Sequence, residues 1–428
     1  MKQPDGGARL ARNTGYAAIA NAVPRAAGLL VFILLGRLAG LEAAGSFSLA
    51  LGALAVLTTF FAALDDLLIR EIVSDPERTA AHLASYGVLR VVVAAVAALL
   101  FTVGLSRFSH LDGPQTAVVA VILSTAVIEA LAALGQAPLY ARGNFALPLI
   151  AVCTTAAFRV GAGALILFRG GGELLTALVW PVGALLGGIL MLFGAVKGLQ
   201  PRAGVGHANT QARALIARYA RLMPVFGLMG LLSGLEYQLD VMFLARFWGA
   251  AEVAIYSAAA AIVAIPAVLS QGHRMALFPT LVKQRREAPH QLRQTVMRSV
   301  RTLAAAGFVA AIVIALLAPW LVRLVFGEGF EATIPVLRIL AWNIIFIFTG
   351  VPLVRLLLAA ADQAFVSRAL AVSLTINVTG NWLLAPAFGA RGSALVRLVS
   401  SAAFLSIIAL RARARLRVEE RIGESATI

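Results

Sequence analysis

The chain carries a single cysteine, Cys153, set within an apolar run, which excludes both a disulfide framework and a thiolate metal site. Lysine is scarce as well, present only as Lys2, Lys197 and Lys283. Charged residues make up 13% of the 428 positions, far too few to cover one or two soluble cores of that size. The five histidines (His82, His110, His207, His273 and His290) lie apart, with no His-x-x-x-His spacing, and read as loop or interfacial residues rather than metal ligands. No nucleophile–base pair and no phosphate-cradling glycine loop can be found. Gly170, Gly171 and Gly172 follow Arg169 outside any strand–helix context and read as a flexible turn. Asp65 and Asp66 point about 100° apart on a helix, with no third acid, so they read as a helix-end pair near Arg70 and Glu71. These absences point to no catalytic residue, no metal and no cofactor, and so to a chain that is not an enzyme.

What is present is hydrocarbon. Hydrophobic residues reach 60%, and mean hydropathy is +0.89. The apolar residues recur in runs of about 20, the length that crosses a bilayer as a helix. Such runs, rich in Ala and Leu, are too long for barrel strands, and only helices or closed barrels satisfy backbone groups in lipid. The reading is an all-α membrane protein of about twelve transmembrane helices. The first six fall near 15–37, 45–67, 84–106, 114–136, 146–168 and 173–196. The second six fall near 219–243, 250–272, 299–323, 331–358, 364–386 and 390–410.

The net charge of +16 is distributed as a topology signal rather than as a nucleic-acid surface. Alternate connections hold 23 basic residues against 6 in the others, which places both termini on the cytoplasmic side of the inner (plasma) membrane. Met1–Thr14 is short, polar and basic, and the apolar stretch after it is too long for a cleavable signal; it reads as a retained signal anchor. The basic stretches Lys283–Arg301 and Arg411–Arg417 are expected to lie along the anionic inner leaflet, with membrane lipids as their partners. Every opposite-side loop is short, which leaves no room there for a soluble catalytic domain.

The chain looks duplicated. Leu35–Ala50 aligns without gaps to Leu244–Ala259, matching Arg37 to Arg246, Gly40 to Gly249, Ser48 to Ser257 and Phe47 to Tyr256. An even number of helices separates the copies, so they are parallel repeats. With the linker near 197–218, this predicts two six-helix lobes, residues 1–206 and 207–428.

Charge inside a span costs on the order of 2.5–3.5 kcal/mol even on a lenient scale, so a charge there needs a wet cavity or a partner. Arg25 and Arg159 sit nearest the midplane, and Arg338 and Arg397 lie in the outer half. Glu129, Glu236 and Asp240 lie within the hydrocarbon. The four arginines are the candidates for substrate binding, because guanidinium grips phosphate oxygens with two parallel hydrogen bonds at any relevant pH. The three acids read either as cation-coupling groups or as ordinary ion-pair partners of arginine. Arg90, Arg355 and Arg368 lie close enough to the cytoplasm to snorkel and carry little weight.

Several segments together resemble a known family. They are Gly36–Gly40, Gly45–Ala50 and Asp66–Glu71 in the first half. In the second half they are Asp240, Tyr256–Ala259, Leu277–Thr280, Phe326–Phe330, Asn377, Asn381, Leu384–Pro386 and Gly389–Gly392. In order and spacing they resemble the polysaccharide biosynthesis flippases, the Wzx-type oligosaccharide transporters of the multidrug/oligosaccharidyl-lipid/polysaccharide exporter superfamily. The resemblance implies two six-helix lobes around a central cavity and alternating access. It also implies a polyprenyl-pyrophosphate-linked oligosaccharide, moved from the cytoplasmic to the periplasmic leaflet during surface polysaccharide (exopolysaccharide) biosynthesis, alongside other polysaccharide-assembly membrane proteins. The lipid II flippase branch usually carries two further helices, and this chain does not. Two rivals stand beside this reading: a drug/cation antiporter of the same superfamily, and a membrane polymerase or ligase of lipid-linked glycans.

Overall fold

A computed structural model of the chain describes residues 6–197, 208–287 and 289–425. Among the described residues every regular element is a helix. In order these are α1 (Gly6–Leu38), α2 (Leu41–Ser74), α3 (Thr79–Phe108), α4 (Gly113–Ala141), α5 (Ala146–Phe168) and α6 (Glu173–Val196). There follow α7 (Ala208–Phe247), α8 (Ala250–Glu287), α9 (Pro289–Phe326), α10 (Thr333–Ala341), α11 (Asn343–Ala359) and α12 (Gln363–Ser425), with short 3-10 turns at Pro76–Arg78 and Glu328–Phe330. Nine stretches among the described residues are long and apolar enough to cross a membrane. One of them joins α10 and α11, and another, within α12, covers two expected spans. The protein is thus an all-α, multi-pass membrane protein, and the expected spans lie on these helices.

The chain forms two compact units. One comprises Met1–Gln238 with Gly249–Ala251, the other Leu239–Trp248 with Glu252–Ile428. The lobe boundary expected at 206/207 lies outside the described residues. In the first unit, Phe61, Leu64, Leu68 and Tyr86 build a core with Tyr219 and Met223. Small residues let backbones approach there: a Cβ on Gly135 of α4 would meet the α6 backbone nitrogen of Leu192 at 2.6 Å. In the second unit, Leu281, Val296, Leu356, Leu357 and Ile408 form the corresponding core.

The repeat is visible in the backbone. Gly40 and Gly249 both sit in the left-handed region, at φ 93° and 81°. Ala39 N–H donates to the Leu35 carbonyl at 2.8 Å, and Trp248 N–H donates to that of Leu244 at the same distance. Glycine serves both turns because a Cβ costs about 1–2 kcal/mol at such φ.

α12 is two helices meeting at Gly389, where φ is 55° and ψ is −138°. Pro386 lies in the last turn of the first, where it offers no N–H, and the break itself falls at Gly389. The freed groups find partners within the same unit. Trp248 Nε1 donates to the Ala385 carbonyl at 2.8 Å, and Ala390 N–H donates to Glu252 Oε1 at 2.7 Å. The acid therefore caps the positive end of the second helix. Alanine at Gly389 would face both the φ penalty and the Glu252 carboxylate. Gly389→Ala is expected to lower thermal stability in detergent clearly. Gly104→Ala, in a helix with nothing within 4 Å of the new methyl, should leave it level or raise it.

The turn between α11 and α12 is clasped differently. Ala361 adopts φ 57°, and beside it Asp362 accepts from Arg411 Nε at 2.8 Å and from Arg415 Nε at 2.9 Å. These bonds, Arg411 first, hold the Asp362 carboxyl well below the usual carboxylate range. Its contribution to stability is therefore in place above the ordinary carboxylate pKa of about 3.9 and is lost only as pH falls through the depressed folded value. Two arginines of the basic tail expected on the lipid surface thus also tie a turn.

Candidate functional site

Arg25 lies inside α1, in the span Gly15–Leu38. Its side chain is exposed and has no hydrogen bond or ion pair among the described residues. Arg338 on α10 is likewise exposed and unpartnered among the described residues. Neither is locked to an acid among the described residues.

Arg159 of α5 is different. It is buried, with only 8% of its side chain exposed, and lies 3.6 Å from Glu129 of α4. Its Nη2 donates to the Trp180 carbonyl of α6 at 3.1 Å, and its guanidinium lies 4.9 Å from the centre of the Trp180 ring. Gly183 makes room for it: a Cβ there would touch Arg159 Cγ at 3.0 Å. Arg159 thus ties three helices of its unit together, while its Nε remains buried without a partner.

A second buried arginine was given little weight in the sequence. Arg90 of α3 pairs with Asp65 of α2, donates to the Tyr86 hydroxyl at 3.2 Å and lies over the Phe61 ring. Tyr86 in turn donates to Asp65 Oδ1 at 2.7 Å. Arg90 does not snorkel. Its depth along α3 allowed that reading, but the acid and the rings facing it come from the neighbouring helix and from one turn back on α3. An acid on the preceding helix was the available signal.

The densest polar arrangement lies in the second unit around Asp240 of α7, which is fully buried. Its Oδ1 accepts from Asn377 Nδ2 and Asn381 Nδ2, each at 2.9 Å. Its Oδ2 accepts from Arg397 Nε at 2.7 Å and from the Tyr256 hydroxyl. Four donors thus saturate the four lone-pair directions of the carboxylate. Asn377 and Asn381, one helical turn apart on α12, present their amides side by side. Glu236, one turn before Asp240 on α7, is itself engaged with another group.

Among the described residues the first unit has no counterpart of this network. The ungapped repeat places Phe47 at the position of Tyr256 and, carried one turn back from its start at Leu35, Val31 at that of Asp240. Val31 and Phe47 are fully buried, and Phe47 packs edge-to-face on Trp180 with ring centres 4.9 Å apart. One copy of the repeat is greasy there and the other ionic. Among the described residues no group of three or more His, Cys, Asp or Glu could hold a metal ion.

Comparison with solved structures shows the fold in known proteins. The lipid II flippase MurJ in its inward closed conformation superposes with a TM-score of 0.72 at 11% identity, covering 92% of this chain and 87% of that one. An inward-facing multidrug resistance MATE family transporter of the MOP superfamily gives 0.72 at 14% identity, with 94% and 98% covered. A MOP superfamily transporter from Pyrococcus furiosus Vc1 gives 0.64 at 16% identity, with 98% and 100% covered. The chain therefore shares its fold with these solved transporters and this flippase. The family model described as polysaccharide biosynthesis protein matches residues 10–284, and the MatE model matches residues 226–383. The chain belongs to the polysaccharide biosynthesis protein family. The sequence has no significant match among curated proteins.

Proposed function

We propose that this protein is a flippase for a polyprenyl-pyrophosphate-linked oligosaccharide, moving it from the cytoplasmic to the periplasmic leaflet of the inner membrane. In this reading residues 1–206 and 207–428 act as two lobes around a water-filled cavity that opens to each side in turn. Both termini are cytoplasmic, and other polysaccharide-assembly membrane proteins supply and consume the glycan.

One observation carries the reading: Arg25 is exposed in the middle of an apolar helix and has no partner among the described residues. Hydrocarbon would charge several kcal/mol for that placement, whereas a wet passage accepts it at little cost. A fixed guanidinium in such a passage suits a diphosphate headgroup, whose lipid tail remains in the bilayer. Arg338 offers a second free cation nearer the outer face. Arg159 and Arg397 act as the positioning residues that keep each lobe in one shape, with Glu129 and Asp240 as their ion-pair partners.

A drug/cation antiporter is the second reading, favoured by the MatE match over residues 226–383. It asks for an acid open to a mobile cation, and Asp240 has all its acceptor positions occupied by its own chain. Reconstitution separates the two. Proteoliposomes loaded with a fluorescent polyprenyl-pyrophosphate-linked glycan should expose it to an outside glycosidase faster with the protein than without. Equal exposure in both, together with drug efflux answering to a cation gradient, would overturn the flippase.

A further inference from the structure

At one end of the first unit, three arginines converge on a cleft that neither the fold nor the transport passage explains. The cleft has a volume of about 510 Å³ and is lined by Arg70 from the end of α2 and by Ala214, Ala217, Arg218, Arg221 and Leu222 from the start of α7. One carboxylate oxygen, Glu71 Oε1, gathers two of the guanidinium groups. It accepts from Arg218 Nη2 at 2.9 Å and from Arg70 Nη2 at 3.3 Å. Glu71 is mostly buried, whereas Arg70 and Arg218 remain 69% and 51% exposed and keep donors free. Arg221 is exposed and has no partner among the described residues. Among the described residues, two of the three cations share one acid and the third has none, which leaves two positive charges uncompensated in the cleft.

The arginines stand on a fixed floor. Tyr219, between Arg218 and Arg221 in sequence, is buried, and its hydroxyl lies 2.9 Å from His82 Nδ1 of α3. Its ring packs on Tyr86 with centres 5.3 Å apart. This anchorage stops the start of α7 from swinging away, so like charges are held close together against their repulsion. Such an arrangement is stabilised by an anion. The remaining wall, Ala214, Ala217 and Leu222, is apolar, so the ligand has a greasy side next to its charge.

We propose that this cleft is a headgroup site for a phosphate-bearing lipid, specifically the diphosphate of a polyprenyl carrier before it enters the passage. The assignment rests on the flippase reading and on the cytoplasmic placement of this basic end. Guanidinium groups bind the terminal oxygens in pairs, and the first isoprene units lie on Ala217 and Leu222. Glu71 is a positioning residue: one of its carboxylate oxygens holds Arg70 and Arg218 side by side at the cleft.

The test uses the full chain in nanodiscs with three probes: polyprenyl diphosphate without glycan, phosphatidylglycerol and inorganic diphosphate. Arg70→Gln with Arg221→Gln removes two of the three cations and leaves the closer Arg218–Glu71 pair intact, so folding is preserved. Arg213→Gln removes an exposed arginine of the same helix that does not line the cleft. The double variant should bind polyprenyl diphosphate at least tenfold more weakly, while Arg213→Gln binds it as the wild type does. Inorganic diphosphate should bind the wild type far more weakly than the lipid. Equal lipid binding by wild type and double variant would overturn the site. So would an equal loss in Arg213→Gln, a loss confined to phosphatidylglycerol, or inorganic diphosphate binding as well as the lipid. Wild-type protein that translocates glycan while the double variant binds normally refutes the cleft alone. Wild-type protein that neither binds the polyprenyl diphosphate nor translocates glycan refutes the flippase reading itself.

Discussion

Arg397→Ala is expected to be the most damaging single substitution in the second unit, lowering stability by about 3–5 kcal/mol. The cause lies in what it leaves behind. Asp240 is wholly buried, and Arg397 is its cationic partner in the network, at 2.7 Å. Without the guanidinium, the carboxylate stays in a low-dielectric interior with two amides and one hydroxyl, none of which neutralises it. The loss should appear as a sharp fall in the temperature at which purified protein leaves solution in detergent, and as low recovery from membranes. Adding Asp240→Asn to Arg397→Ala removes the stranded charge and should restore most of the stability. A double variant as unstable as Arg397→Ala alone would show that the guanidinium acts through packing rather than charge. The matching first-unit position makes the contrast useful: Val31 and Phe47 carry no charge to strand, so Val31→Ala should cost only a cavity term.

Arg25→Ala should do the reverse, leaving stability within about 0.5 kcal/mol while cutting glycan translocation at least tenfold. Its side chain is exposed and makes no hydrogen bond or ion pair among the described residues, so folding loses little when it goes. A charge-assisted hydrogen bond contributes about 1.5–3 kcal/mol, and each 1.4 kcal/mol is a factor of ten. Arg159→Ala is expected to lose translocation and stability together, because Arg159 joins α4, α5 and α6 through Glu129 and the Trp180 carbonyl. The checking measurement is initial translocation rate in proteoliposomes beside thermal stability of the same preparation. Undiminished translocation by a stable Arg25→Ala protein would remove that residue from the passage.

Much of the fold was legible because bilayer crossing imposes a one-dimensional rule. A helix must stay apolar for about 20 residues, and that shows in a linear string without knowing any neighbour. The spans at 146–168 and 173–196 coincide with α5 and α6 for this reason. The paired turns at Gly40 and Gly249 were legible too, because only glycine adopts their φ at low cost and the repeat aligned them. The break between the last two spans showed as Pro386 and Gly389, although the acid that caps it, Glu252, lies 138 positions away.

Pairing obeys no such rule. Nothing local to Arg397 says that its carboxylate is Asp240, 157 positions earlier, or that two asparagines and a tyrosine complete the set. Position along a helix set Arg25 near the midplane and Arg90 close enough to the cytoplasm to snorkel. Packing decided otherwise for Arg90, burying it against Asp65 and Tyr86, and left Arg25 open. From the amino acids alone came which segments are helices, where they turn and how many charges lie within them. Which of those charges are spent on holding helices together, and which remain free to meet a ligand, was decided by tertiary structure. The physical reason is that a charge in a low-dielectric interior is settled by whatever stands within a few ångströms, and those neighbours come from other helices.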